Sequence, residues 1–316
     1  MDVDVVVTWV DGRDSAHQDK MNQYIKDTQK TNSIGFRTRY DQVNEIQFTV
    51  DSILKYADFV RNIYIITDKQ TPDFIRNKTS GSYRNVFIID HTDIFKGHLE
   101  YLPVFNCRPI ETKLYKVPNL SEHFIYFNDD MFLLKTVQLE DFFIDGNPVI
   151  RGSWNRFRKN IFHKRLAEKI FKKKKKKKAT HTKAQEKSAK ILGFSKYYKF
   201  NHLPAPIRKS TLKNYFKENK KVEKKNIKYK FRHRKQFTPQ GLANHLEIQN
   251  KTCVLKSDTQ MLYIQNYKRS MFGLKLKLNV LSRKKNKLFL CLQSLDQASE
   301  EKLEFVLGWL KQKYQQ

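Results

Sequence analysis

From Val3 to Val10 the chain is almost continuously apolar and β-branched, and Asp11-Gly12 ends the run. A short unbroken apolar run is expected of a strand covered on both faces of a parallel sheet. Three later runs share this form, apolar and then acidic. They are Ile63-Tyr64-Ile65-Ile66-Thr67-Asp68, Val86-Phe87-Ile88-Ile89-Asp90-His91 and Phe124-Ile125-Tyr126-Phe127-Asn128-Asp129-Asp130. Between the first two, Ile46, Val50, Ile53 and Leu54 recur at helical spacing over 44–56. Strands alternating with helices predict βαβ units and a parallel sheet. Helical patterns return near Ile207–Phe216 and over Glu300–Trp309, where Leu303, Phe305, Val306 and Trp309 form the apolar face. The predicted fold class is α/β with a Rossmann-like parallel-sheet core and helical, strongly basic C-terminal additions. The chain divides into a core over 1–150, a basic insertion over 151–200 and a part over 201–316 that completes one continuous catalytic domain.

Ligands of open α/β sheets sit beyond the carboxyl ends of the strands. Single acids there, such as Asp68 and Asp90, read first as turn formers or helix caps. The adjacent pair Asp129-Asp130 is different, because two neighbouring carboxylates repel unless a cation lies near them. Hard divalent cations bound to phosphates take such oxygen ligands. A strand-end acidic pair is also the usual device of GT-A-type glycosyltransferases, so the core is equally GT-A-like.

Charge adds a second theme. The 316 residues include 62 Lys+Arg and 32 Asp+Glu, a net charge of +30. With 39% hydrophobic and 13% aromatic residues, a disordered polycation is excluded. Residues 1–150 hold 17 basic and 22 acidic side chains (net −5), 151–240 hold 32 and 4 (net +28), and 241–316 hold 13 and 6 (net +7). A field this concentrated attracts polyanions: nucleic acid, anionic lipid or phosphate-bearing glycans. The seven lysines Lys172–Lys178 read as a solvated loop or as a tether to such a partner. No RNP, KH or zinc-knuckle pattern supports nucleic acid. Cys107, Cys253 and Cys291 are too scattered for a zinc site or a disulfide framework. Neither an export signal nor a bilayer-spanning run is visible, so the expectation is a cytoplasmic protein, with the inner face of the cell membrane as a peripheral site.

The block Val7-Thr8-Trp9-Val10-Asp11-Gly12 resembles the first signature of the Stealth proteins. That family includes bacterial capsular polysaccharide phosphotransferases and the animal lysosomal-enzyme N-acetylglucosamine-1-phosphotransferase. A second signature is similar to the stretch from Arg39 and Asn44-Glu45-Ile46 through Ile89-Asp90-His91-Thr92-Asp93-Ile94, Leu102-Pro103-Val104-Phe105-Asn106 and Ile110-Glu111 to Tyr126-Phe127-Asn128-Asp129-Asp130. A third resembles His202-Leu203-Pro204 with Arg208-Lys209-Ser210, and a fourth Phe231-Arg232-His233-Arg234. Asn44, Val104 and Cys107 depart from the residues common in relatives.

The resemblance implies transfer of sugar 1-phosphate from a nucleotide-sugar, a UDP-sugar in the first instance, to a glycan hydroxyl, with release of the nucleoside monophosphate. It implies a divalent cation, Mg2+ or Mn2+, on Asp130 and Asp129. Arg232 would clamp a phosphate, His202 would take the acceptor proton, and Glu111 would act as base, metal ligand or orienter of His202. Asp11 would meet the nucleotide or its sugar. Trp9, Arg39, Asn44, Glu45, Asn128, Arg208 and Arg234 complete the expected substrate-binding set, with capping of the first helix as the plainer role of Arg39, Asn44 and Glu45. His91 reads as structural. The implied partners are the nucleotide-sugar donor, an anionic oligosaccharide or polysaccharide acceptor, and an anionic membrane surface or capsule assembly machinery. The nearest alternative is an ordinary metal-dependent glycosyltransferase releasing UDP.

Overall fold

The computed structural model describes residues 1–25, 42–76, 81–158, 179–265, 267–268 and 270–315. Arg39 and the Lys172–Lys178 run lie outside them. The central sheet has the order β3-β2-β1-β4-β9, built from β1 (Val3–Thr8), β2 (Val60–Thr67), β3 (Val86–Asp90), β4 (His123–Asn128) and β9 (Ala205–Arg208). The first four run parallel and β9 is antiparallel to β4. The α/β class with a parallel-sheet core therefore holds. Alternate residues of β1 and β4 serve opposite faces, as the two-residue period requires. Val3, Val5, Val7, Ile125 and Phe127 pack on one side with Ile46, Val50 and Ile53 of the helix Glu45–Tyr56. Val6, Phe124 and Tyr126 pack on the other with Ile110, Leu114, Leu212 and Phe216.

Asp4 interrupts the apolar pattern of β1 and is fully buried. Its carboxylate accepts from Arg61 Nε (3.0 Å), Arg61 Nη2 (2.7 Å) and the Ser121 amide (2.6 Å), so the buried charge is satisfied.

Two further sheets tie late sequence to early sequence. β12 (Phe289–Leu292) pairs with β5 (Met131–Leu133) and with β11 (Met261–Ile264), over a third apolar cluster that includes Phe132, Leu274, Leu278, Leu290, Leu292, Val306 and Leu310. β7 (Asn147–Arg156) pairs with β6 (Phe143–Ile144), β8 (Lys196–Phe200) and β10 (Val254–Lys256). β7 thus runs across residue 150, while β9 and β12 complete sheets begun before it. Among the described residues no helix is long and apolar enough to cross a membrane.

Candidate active site

The parallel strands deliver their C-terminal ends to one side of the sheet, and a cavity of about 380 Å³ opens there. Thr8 and Trp9 line it from β1, Asp68 from β2, His91 from β3, and Asn128, Asp129 and Asp130 from β4. Register brings in His202: the antiparallel pairing sets Tyr126 against Ala205, so the residues before β9 pass the end of β4. His202 Nε2 consequently lies 2.8 Å from Asn128 Nδ2 and 3.5 Å from Asp130 Oδ1.

Glu111 and Arg232 form the facing wall. Asn106 caps the helix Cys107–Lys113 by accepting from the Arg108 amide, and Cys107 and Glu111 sit one turn apart on it. The Arg232 segment is stitched to this helix. Phe105 N donates to Lys230 O at 2.6 Å, Asn106 Nδ2 to Tyr229 O at 2.9 Å and Arg108 Nη1 to His233 O at 3.3 Å. Phe105 stacks on Phe231 at 5.3 Å between ring centroids. Arg232 Nη2 then reaches Cys107 Sγ at 3.4 Å. Burial, reinforced by Glu111, raises the Cys107 thiol to about 11, so it stays neutral between the acid and the guanidinium.

A chain of polar groups crosses the floor. The Tyr126 hydroxyl lies 3.3 Å from Glu111 Oε1, 2.7 Å from Asn128 Oδ1 and 2.8 Å from Thr8 Oγ1. Burial pushes that phenol well above its ordinary range, with Glu111 adding to the effect, so it remains a neutral donor. Glu111, Tyr126, Asn128 and His202 are thus connected in sequence.

The acidic pair is held by its backbone. Thr49 Oγ1 donates to the Asp129 carbonyl at 2.7 Å, and the Leu292 amide to the Asp130 carbonyl at 3.0 Å. Enclosure in protein and, after it, the neighbouring Asp130 raise the Asp129 carboxyl to about 7. Among the described residues Asp130 Oδ1 is buried without a hydrogen-bond partner, and Asp130 Oδ2 receives only the Cys291 thiol at 3.7 Å. For His202 burial acts downward, yet Asp130, Glu111 and Asp129 together outweigh it and its pKa is raised.

These observations test the fit of a divalent cation. Four carboxyl groups (Asp68, Glu111, Asp129 and Asp130) but a single arginine are among the described residues that line the cavity. An anionic ligand entering such a cavity needs further positive charge. Asp130, His202 and Cys291 present donor atoms within 4.8 Å of one another. Burial holds the Cys291 thiol well above its ordinary range, and a neutral thiol is a poor partner for a hard ion. The carboxylate oxygens, one of them starved of donors, suit a hard cation such as Mg2+ or Mn2+.

Not every expected residue converges. Asp11 and Asn44 line an adjoining cavity of about 290 Å³ with Lys69 and Gln70, and Trp9 borders both cavities. Asn44 occupies a left-handed conformation (φ 63°) at the start of the helix Glu45–Tyr56, with no side-chain cap. Glu45 is buried, lines neither cavity, and is raised well above its ordinary pKa by burial and then by Asp129. Arg208 stands apart, paired with His123 at the far end of β4, and its guanidinium is bound by Glu247 (Nε to Oε1, 3.0 Å). Arg234 is exposed and lines neither cavity. Conversely, the buried Cys291 thiol lies behind Asp130, and Tyr126 and His91 line the cavity. His91 is buried there with both ring nitrogens unpartnered among the described residues, and burial lowers its pKa to about 4. Asp90 caps the following turn by accepting from the Thr92 amide at 2.9 Å.

The acid-lined cavity lies at the strand ends of a parallel α/β sheet, where ligands of open α/β sheets bind. Residues 1–29 match Stealth protein CR1, conserved region 1, and residues 39–149 match Stealth protein CR2, conserved region 2. Both matched regions lie in the first half of the chain. It is similar to the capsular polysaccharide phosphotransferase of Actinobacillus pleuropneumoniae, 44% identical over 144 residues, which are 45% of this chain and 38% of that protein. The Neisseria meningitidis capsular polysaccharide phosphotransferase is 43% identical over 142 residues, 45% of this chain and 37% of that protein. Less than half of each relative's length is therefore matched. Among solved structures, the apo form of the bifunctional glycosyltransferase WbbM aligns with 92% of this chain and 45% of its own, at a TM-score of 0.46 and 13% identity. That likeness is too loose to bear on function. The blocks around His202 and Arg232 lie beyond the matched regions.

Proposed function

We propose that the chain transfers sugar 1-phosphate from a nucleotide-sugar, a UDP-sugar in the first instance, to a glycan hydroxyl, as a capsular polysaccharide phosphotransferase. The observation that carries this reading is the meeting of Asp129, Asp130, Glu111, His202 and Arg232, drawn from four separate stretches, around a single cavity. The names of the Stealth relatives support it.

In the reaction the acceptor oxygen attacks the sugar-proximal phosphorus. The bond from that phosphorus to the bridging oxygen breaks, and the nucleoside monophosphate leaves. The proton passes to His202 at Nε2, whose raised pKa, set mainly by Asp130, favours receiving it. Once protonated, Nε2 can donate toward Asp130 Oδ1, 3.5 Å away. Before the transfer Asn128 Nδ2 donates to Nε2 and orients the ring, and that bond opens when Nε2 takes the proton; Tyr126 links Asn128 to Glu111. Arg232 offers a forked donor to the phosphoryl oxygens. Asp130 and Asp129 would hold Mg2+ or Mn2+, which neutralises charge on the diphosphate when bound. The cavity containing Asp11 and Asn44, across Trp9, is the proposed seat of the nucleoside. The acceptor is an anionic glycan, drawn in by the basic residues over 151–240. Arg208, Arg234 and Glu45 line neither cavity and have no part in this reading.

The test is incubation with Mg2+, a panel of UDP-sugars and an oligosaccharide primer. UMP release is expected. Release of UDP with every donor would overturn the reading in favour of an ordinary glycosyltransferase.

A further inference from the structure

The helix Met271–Asn279 carries two apolar faces. Leu274 and Leu278 are buried in the third apolar cluster. On the other side Phe272 is 75% exposed, Leu276 43% and Val280, just past the helix end, 52%. At 3.6 residues per turn these three positions, four apart, fall within about 80° of one another and roughly opposite Leu274 and Leu278. Large apolar side chains lined up in solvent mark an interaction surface rather than the scattered exposure of an ordinary monomer.

The rim names the partner. Lys275 and Lys277 flank the stripe on its two sides, and Arg283, Lys284, Lys285 and Lys287 follow the helix. Over residues 268–287 the sequence holds eight basic residues and no acidic one. A protein surface of ordinary composition presents both signs of charge, whereas a bilayer rich in anionic lipid is uniformly negative at its surface and apolar beneath. A short helix with an apolar stripe and a wholly cationic border matches that profile.

We propose that Phe272, Leu276 and Val280, bordered by Lys275, Lys277 and the Arg283–Lys287 segment, dock the protein on an anionic lipid surface. The docking face is separate from the catalytic cavity, and the proposal does not depend on the reaction. The sheet beneath it is nevertheless continuous with the cavity, because Gln293 and Ser294, immediately after β12, line the wall.

The experiment is co-sedimentation of the full chain with phosphatidylcholine vesicles and with phosphatidylcholine–phosphatidylglycerol vesicles. Binding is expected only to the anionic vesicles. The triple variant Phe272→Ser, Leu276→Ser, Val280→Ser should lower partitioning about tenfold or more, since these side chains are exposed and their loss leaves the fold intact. Lys284→Glu with Lys285→Glu should do the same. Lys224→Glu with Lys225→Glu, an equal charge change on a helix elsewhere, should have a clearly smaller effect. Three results would overturn the proposal. One is no binding to either vesicle. Another is loss in the Lys224/Lys225 variant equal to that in the Lys284/Lys285 variant, with the triple variant unaffected, which would mean generic attraction. The third is concentration-dependent self-association in sedimentation velocity that the triple variant abolishes, with vesicle binding unchanged, which would mean that the stripe joins two copies.

Discussion

Asp4 and Asp130 stand at opposite ends of the same sheet and are treated in opposite ways. Asp4, in β1, is fully buried and receives three donors from Arg61 and Ser121. Asp130, after β4, keeps one buried oxygen without a hydrogen-bond partner among the described residues, with His202 Nε2 3.5 Å away, and faces a second carboxyl that is itself displaced to about 7. A buried charge with donors on both oxygens holds structure together. A carboxylate oxygen left without a hydrogen-bond donor is costly in the free protein, and the cost makes sense where a ligand supplies what is missing. The N-terminal end of the strands is thus built for stability, and the C-terminal end is the one proposed to carry the chemistry.

Substitutions at the two ends should separate accordingly. Asp130→Asn is expected to lower kcat by roughly a thousandfold while leaving the denaturation midpoint unchanged or raised. Steady-state rates beside urea unfolding check this, and a large loss of stability with activity retained would reverse the contrast. Arg232→Lys keeps the charge and loses the fork, so a loss of about a hundredfold in kcat/KM is expected. Asp4→Asn should act the other way, costing about 3 kcal/mol of stability, the low end for a broken buried pair because Arg61 is 40% exposed and can turn to water. Its rate per folded molecule should match the wild type.

Finer effects follow from pKa. A folded-state pKa near 7 for Asp129 lies above its unfolded value of 3.8, so the native state binds the proton more tightly. Stability should therefore fall as pH rises from about 4 to about 7, and Asp129→Asn should flatten that fall in urea titrations. A cation held by this carboxyl must displace the same proton, so Mg2+ affinity should climb over that interval and level off above it. Isothermal titration at several pH values measures this. The smallest effect is expected at His91. His91→Ala should raise KM for donor or acceptor several-fold with little change in kcat, whereas a purely structural histidine would show instead as lost stability.

Much of the core was legible because burial on both faces leaves unbroken apolar runs, and each of the four runs became a parallel strand. The acidic punctuation at Asp129-Asp130 was legible for the same reason, since strand ends project to one edge. Other features required the fold. Tyr126 looked like one more core aromatic of β4, and only its strand-end hydroxyl beside Asn128 reveals it. Cys291 reaches Asp130 because β12 pairs with β5, a link between residues 161 apart that no local pattern encodes. Arg208 looked basic and well placed within its block, yet the antiparallel direction of β9 carries it to the wrong end of β4. His91 looked structural, and its unpartnered nitrogens become visible only beside the cavity.

The cavity at the end of β4 is proposed to break the diphosphate on the side nearer the sugar. Phosphorus NMR of a reaction with a UDP-sugar, Mg2+ and primer tests it directly. A phosphodiester resonance growing in equal amount with UMP is predicted. UDP accumulating with no phosphodiester signal, while Asp130→Asn abolishes turnover all the same, would contradict it.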